Sequence, residues 1–144
     1  MRNIILLFVL IPAITSAELI SISCGPSSGY AYYFEGGLVG KKDSGFTEDG
    51  ISSGQISLTL DTKNGKGDIL TKDASGVLKS ASSQNGVINV FPAGDKGLNW
   101  LAMYNDGTLE VYSYNFQSNK VAIYRNTVGN SRVAKNNLFV ASCK

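Results

Sequence analysis

Residues 98–124 read LNWLAMYNDGTLEVYSYNFQSNKVAIY, and this stretch decides the fold class. Leu98 to Tyr104 is apolar on both faces, the pattern of a central, well-buried strand. Asp106-Gly107 then supplies a tight hairpin turn, because Gly takes at little cost the positive φ that such turns need. Thr108 to Phe116 returns as the next strand, with Tyr112, Tyr114 and Phe116 on one face. A short polar turn at Ser118-Asn119 leads into a third strand over Lys120 to Tyr124.

The same grammar extends in both directions. Glu18 to Ser23 alternates apolar and polar residues, and Tyr30 to Phe34 is an aromatic-rich second strand. Gln55 to Leu60 alternates strictly, with Ile56, Leu58 and Leu60 on one face. Asp68 to Lys72 and Gly76 to Ala81 flank a turn at Asp73-Ala74-Ser75-Gly76. Asn64-Gly65 and Asn85-Gly86 mark further tight turns, and Val87 to Phe91 ends at Pro92. Leu138 to Val140 leads into Cys143 as the last strand. No segment carries a sustained 3.6-residue stripe. The expectation is an all-β chain of about eight antiparallel strands, an up-and-down barrel or a β-sandwich. Gly36 to Gly50 and Asn126 to Asn137 read as long loops, the usual carriers of binding function.

Residues 1–17, MRNIILLFVLIPAITSA, combine Arg2, an apolar run from Ile4 to Ile11 and small residues at Thr15 and Ala17. That is the pattern of a secretory signal peptide. The run is about half the ~20 apolar residues that cross a bilayer, so no membrane insertion is expected. The expected organisation is a leader over 1–17 and a single secreted or periplasmic domain over 18–144. Losing Arg2 takes the formal charge from +2 to +1, too balanced for a nucleic-acid partner. In an oxidising compartment Cys24 and Cys143, the two cysteines of the chain, are expected to pair, tying the first strand to the last. Asn is abundant but no N-x-[ST] sequon occurs, which leans toward a bacterial source.

Several segments in this order resemble a group of small secreted proteobacterial proteins to which no activity is assigned. They are CGPSSGYAYY (24–33), GFTEDGISSG (45–54), DILTKDASG (68–76), GTLEVY (107–112) and the C-terminal Ser142-Cys143. The resemblance implies a secreted bacterial protein with Cys24 bonded to Cys143, and it brings no catalytic or ligand residues.

There is no His, which removes the commonest general base and metal ligand, and no cofactor or metal is expected. Paired-carboxylate hydrolysis has candidates in Glu35, Glu48, Asp49 and Glu110. Glu110 lies mid-strand between hydrophobics; if it faces the interior it needs a partner, and Arg125 on the adjacent strand is one. Asp61 to Asp68 gathers oxygen donors, but its spacing fits no calcium loop and its two Lys oppose a cation, so a hairpin turn is expected. The Ser-rich stretches lack a base. The aromatic residues of the central strands either fill the core or form a contact patch. The candidate binding residues are therefore Trp100, Tyr104, Tyr112, Tyr114, Tyr124, Arg125 and Arg132. The function expected is a non-enzymatic binding or inhibitor-type module for a protein or glycan ligand. A carboxylate hydrolase and a structural envelope-associated protein are the alternatives.

Overall fold

A computed structural model describes residues 18–72, 75–128 and 131–144. The expected leader over 1–17 and the Asp73-Ala74 part of one expected turn lie outside the described residues. The domain is all-β, as expected, and holds ten strands where about eight were anticipated. They are β1 (Leu19–Tyr33), β2 (Gly45–Ile51), β3 (Gln55–Asp61), β4 (Gly67–Lys72), β5 (Leu78–Ser80), β6 (Val87–Pro92), β7 (Gly97–Met103), β8 (Leu109–Asn115), β9 (Lys120–Asn126) and β10 (Lys135–Cys143).

All pairings are antiparallel, in the order β5-β4-β3-β1-β10-β9-β8-β7-β6. The sheet curls into a half-barrel. Chain neighbours are sheet neighbours except for β2 and β3, which both pair with β1, and for β5 and β6. β1 and β10 pair across the whole chain, as a closed meander requires, but β5 and β6 stand at opposite ends of the sheet. The opening is there.

Three expectations need correction. The two segments 18–23 and 30–34 belong to one 15-residue strand, β1. Its first half pairs with β3 and its second half with β2, on the same edge. The Gly25-Pro26 interruption is an irregularity in the β10 ladder, where a Pro is tolerated, and not a strand end. The loop expected over 36–50 contains β2, hidden from pattern reading by its glycines and acids and by Phe46, which is 80% exposed. The loop expected over 126–137 ends at Lys135, where β10 begins. Asn85-Gly86, read as a tight turn, closes a 3-10 turn over Ser82–Gln84, with Asn85 left-handed at φ 60°.

The seam between β1 and β10 is close. A Cβ on Gly29 would run into the Leu138 carbonyl and the Phe139 backbone, so only Gly fits. Ser23 and Lys144 exchange both backbone hydrogen bonds, at 3.3 and 2.8 Å. Cys24 and Cys143 are therefore a non-hydrogen-bonded pair, the position where cross-strand side chains lie nearest, and they are joined by a disulfide. Beside it lies the apolar core: Ile22, Ile56, Leu58, Ile69, Val121, Phe139 and Ala141. Trp100 on β7 is fully buried and crosses the hollow, donating its indole N–H to the Thr59 carbonyl on β3 at 2.8 Å. Gly67 on β4 makes room for that indole and for Val90 of β6.

Reduction, or a Cys24→Ala/Cys143→Ala double variant, frees a loop with a sequence separation of 119. The chain-entropy model puts the loss at about 5 kcal/mol as an upper value. Urea denaturation should show the midpoint fall by a large fraction of the total stability. An unchanged midpoint would contradict the seam's importance.

Candidate functional site

The inner face of the sheet changes character along its strands. On β10 the inward residues, counted back from Cys143, are Ala141, Phe139, Asn137 and Lys135, apolar first and then polar. The polar end opens into a cavity of about 510 Å³. Its rim is made by the β2–β3 and β7–β8 turns, Lys72 of β4, Lys79 of β5 and the Ser82–Gln84 turn, and its wall by inward residues of β1, β2, β8, β9 and β10. Mouths of curled sheets are common ligand sites.

Glu110 is the buried centre of that wall, 5% exposed. Register sets it opposite Arg125, whose Nε lies 3.0 Å from Oε1. The hydroxyls of Tyr104 and Tyr112 both donate to Oε2 at 3.1 Å. Burial, reinforced by the Glu110 carboxylate, pushes both phenols well above their ordinary pKa, so they stay protonated donors. The interior placement of Glu110 and its pairing with Arg125 answer the condition set by its mid-strand position.

A second cluster bridges β1, β2 and β10. Asp49 Oδ2 accepts from Lys135 Nζ and from the Tyr33 hydroxyl, both at 2.8 Å, and Oδ1 accepts the Gly50 N–H at 2.7 Å. Burial raises the Asp49 pKa, but those hydrogen bonds together outweigh it and hold the carboxyl below its ordinary 3.8. Burial lowers the Lys135 pKa in the same way and is outweighed by Asp49 and Tyr33, so Lys135 stays above 10.5. Asp68, outside the cavity, positions its rim. It accepts from Ser80 Oγ at 2.6 Å and Ser82 Oγ at 2.8 Å, fastening β5 and the turn after it.

The cavity gathers Tyr104, Tyr112 and Arg125 of the residues expected from sequence. Trp100 is corrected: it is a core residue with no exposed surface, its indole spent on Thr59. Tyr114 is buried in the core, outside the cavity lining, and donates to Asn119 Oδ1 at 2.9 Å. Tyr124 faces outward, in a row with Leu138 and Tyr30 on the convex side. Arg132 is exposed beyond the Tyr33 end of β1, outside the cavity lining, where its carbonyl accepts the Leu38 N–H. Glu35 and Glu48 are exposed and do not line the cavity, whereas Asp49 does. The Asp61 carboxylate accepts from Lys63 N–H and Asn64 Nδ2, which makes Asp61–Asp68 the turn expected of it.

Lys135 and Asn137 were missed as site residues because their segment read as a loop. The available signal was parity: both lie an even number of residues before Cys143 and share its face. Asn137 is 5% exposed, and its Oδ1 makes no hydrogen bond. No group of three His, Cys, Asp or Glu that could hold a metal occurs among the described residues. No helix among them is long and apolar enough to cross a membrane. The chain matches no family model, no curated protein and no solved structure.

Two predictions follow from the charge clusters. Glu110→Ala removes one partner of a buried pair and should cost about 3 kcal/mol, the low end for such losses because Arg125 reaches solvent; equilibrium urea unfolding measures it. The Asp49 contribution is fully present above pH 3.8 and is lost as pH falls through its lowered folded value. The Lys135 contribution is fully present below pH 10.5 and is lost as pH rises through its raised value. Asp49→Asn should therefore flatten the acid limb of a stability–pH profile. Equal acid slopes in the variant and the wild type would contradict the assignment.

Proposed function

We propose that this chain is a secreted or periplasmic, non-enzymatic binding module that seats a small polar ligand in the mouth of its half-barrel. The observation that carries the reading is the state of the two carboxylates in that mouth. Glu110 already accepts from two phenols and a guanidinium, and Asp49 from an ammonium, a phenol and a backbone N–H. Both are built into the wall as fixed dipoles. Preorganised polar groups with spent charges suit recognition, since a ligand meets a wall that needs no rearrangement. The disulfide supports an oxidising destination.

One observation favours a carboxylate hydrolase instead: Asp49 and Glu110 line the same cavity. Such an enzyme needs one carboxyl protonated near neutral pH to act as general acid. Asp49 is displaced the opposite way, and Glu110 has no oxygen without a donor. Binding is the better account.

Native mass spectrometry of the oxidised chain after exposure to a small-molecule extract of bacterial envelopes separates the two. A binding module retains an adduct, and Gln55→Trp, which plugs the mouth from an exposed lining position, should lose it. A hydrolase would release a product, and Asp49→Asn would abolish its release. An adduct retained undiminished by Gln55→Trp would overturn the cavity as the seat, and absence of any adduct would overturn the module.

A further inference from the structure

We infer that the ligand is neutral and rich in hydroxyl groups, a saccharide of one or two rings; this deepens the cavity reading and rests on it. The argument is an inventory of what the wall still offers. Tyr104 and Tyr112 spend their protons on Glu110, so their oxygens can only accept. Asn137 lines the cavity and holds a buried amide oxygen without a partner, an arrangement that costs stability until a donor arrives. Asp49 and Glu110 are occupied by their own donors and add no donor for the ligand. The deep wall therefore calls for protons from the ligand.

Charge narrows the class. A carboxylate or phosphate brings no proton to these acceptors and meets two carboxylates. An ammonium group brings protons but meets Arg125 and Lys135, whose charges already balance Glu110 and Asp49. Lys72 and Lys79 sit at the rim, nearer solvent, where charge is worth little. A hydroxyl donates without carrying charge, and it also accepts. The rest of the lining matches that duality, with neutral amides and hydroxyls at Gln55, Gln84, Asn85, Asn105 and Thr108. Tyr104, half-buried in the wall, adds an aromatic surface of the kind that packs against the C–H face of a sugar ring. The volume of about 510 Å³ lies within the range of small-ligand pockets, ~300–1,000 Å³.

The test holds the ring constant and changes its charge. Glucose, N-acetylglucosamine and their β1,4-linked disaccharides form the neutral arm, glucosamine the cationic arm and glucuronate the anionic arm. Each is titrated into the isotopically labelled, oxidised chain and followed by NMR. At least one neutral probe should produce saturable shifts at Asn137, Tyr104 and Gln55, and should bind roughly tenfold more tightly than either charged counterpart. Asn137→Ala should weaken that binding roughly tenfold, the worth of one hydrogen bond to a buried group, while the spectrum away from the mouth stays unchanged. Gln55→Trp should abolish it and serves as the control if Asn137→Ala does not fold. Preference for a charged probe, shifts outside the mouth, or no shift with any probe would each overturn the saccharide assignment. The extract adduct and its loss in Gln55→Trp decide the cavity reading independently, so the failure of one is distinguishable from the failure of the other.

Discussion

Everything in this fold hangs on the pairing of β1 with β10. Without it the chain is two antiparallel units, β1 to β5 and β6 to β10, whose pairings are all between strands near one another in sequence. Local hairpins form at modest entropic cost, but a contact between the two ends of a domain must close a long loop before any bond rewards it. The seam concentrates several devices on that step. Gly29 lets the backbones approach, the two Cys stand where side chains face each other most closely, and Lys135 reaches across to Asp49 on β2. Across the hollow, the Trp100–Thr59 hydrogen bond ties the second unit back to the first. The cavity is a consequence of this joining: Asp49, Ser27 and Gln55 come from one unit, Glu110, Arg125 and Asn137 from the other.

The inner face shows a division of labour. At the disulfide end it is apolar and close-packed around Trp100, Leu58, Ile69 and Val121, and there burial supplies the stability. At the mouth it carries two ion pairs, three phenols that serve them and an amide oxygen with no partner. Buried ion pairs seldom stabilise more than well-packed hydrophobic side chains of equal volume would. A domain built only to be stable would continue the apolar pattern of Cys143, Ala141 and Phe139 through positions 137 and 135. The pattern switches to Asn and Lys where the cavity begins, a change that packing alone does not call for.

What pattern reading recovers, and what it loses, follows from range. The hairpin turns at Asn64-Gly65, Asp106-Gly107 and Ser118-Asn119 are legible because turn chemistry is local: Gly65 and Gly107 have φ of 70° and 85°, and Asn119 has 51°. The Glu110–Arg125 pair is legible because two strands joined by a short turn have a computable register. The continuity of β1 through Gly25-Pro26 is not, since only its partners β3, β2 and β10 hold that strand together. Nor is β2, whose composition resembles a loop. Trp100 illustrates a different limit. An aromatic residue on a strand face can be core or contact surface, and the choice depends on whether a distant strand arrives to cover it; here Thr59 does.

The gap between β5 and β6 is as much a part of the design as the seam. Curled sheets usually remove their edges by closing, since open edges invite pairing with other chains. Here the edges are blunted instead. β5 has only three residues, β6 ends at Pro92, and Asp68 fastens Ser80 and Ser82 so that the chain turns away from the ladder. Lower down, β4 approaches β6 where Gly67 meets Val90, so the hollow is sealed by side chains at its apolar end. Had β5 continued and bonded to β6, the rim carrying Lys79, Gln84 and Asn85 would be replaced by a flat ladder. Leaving that one join unmade gives up a few backbone hydrogen bonds, and in exchange the polar half of the interior stays accessible while the apolar half stays dry.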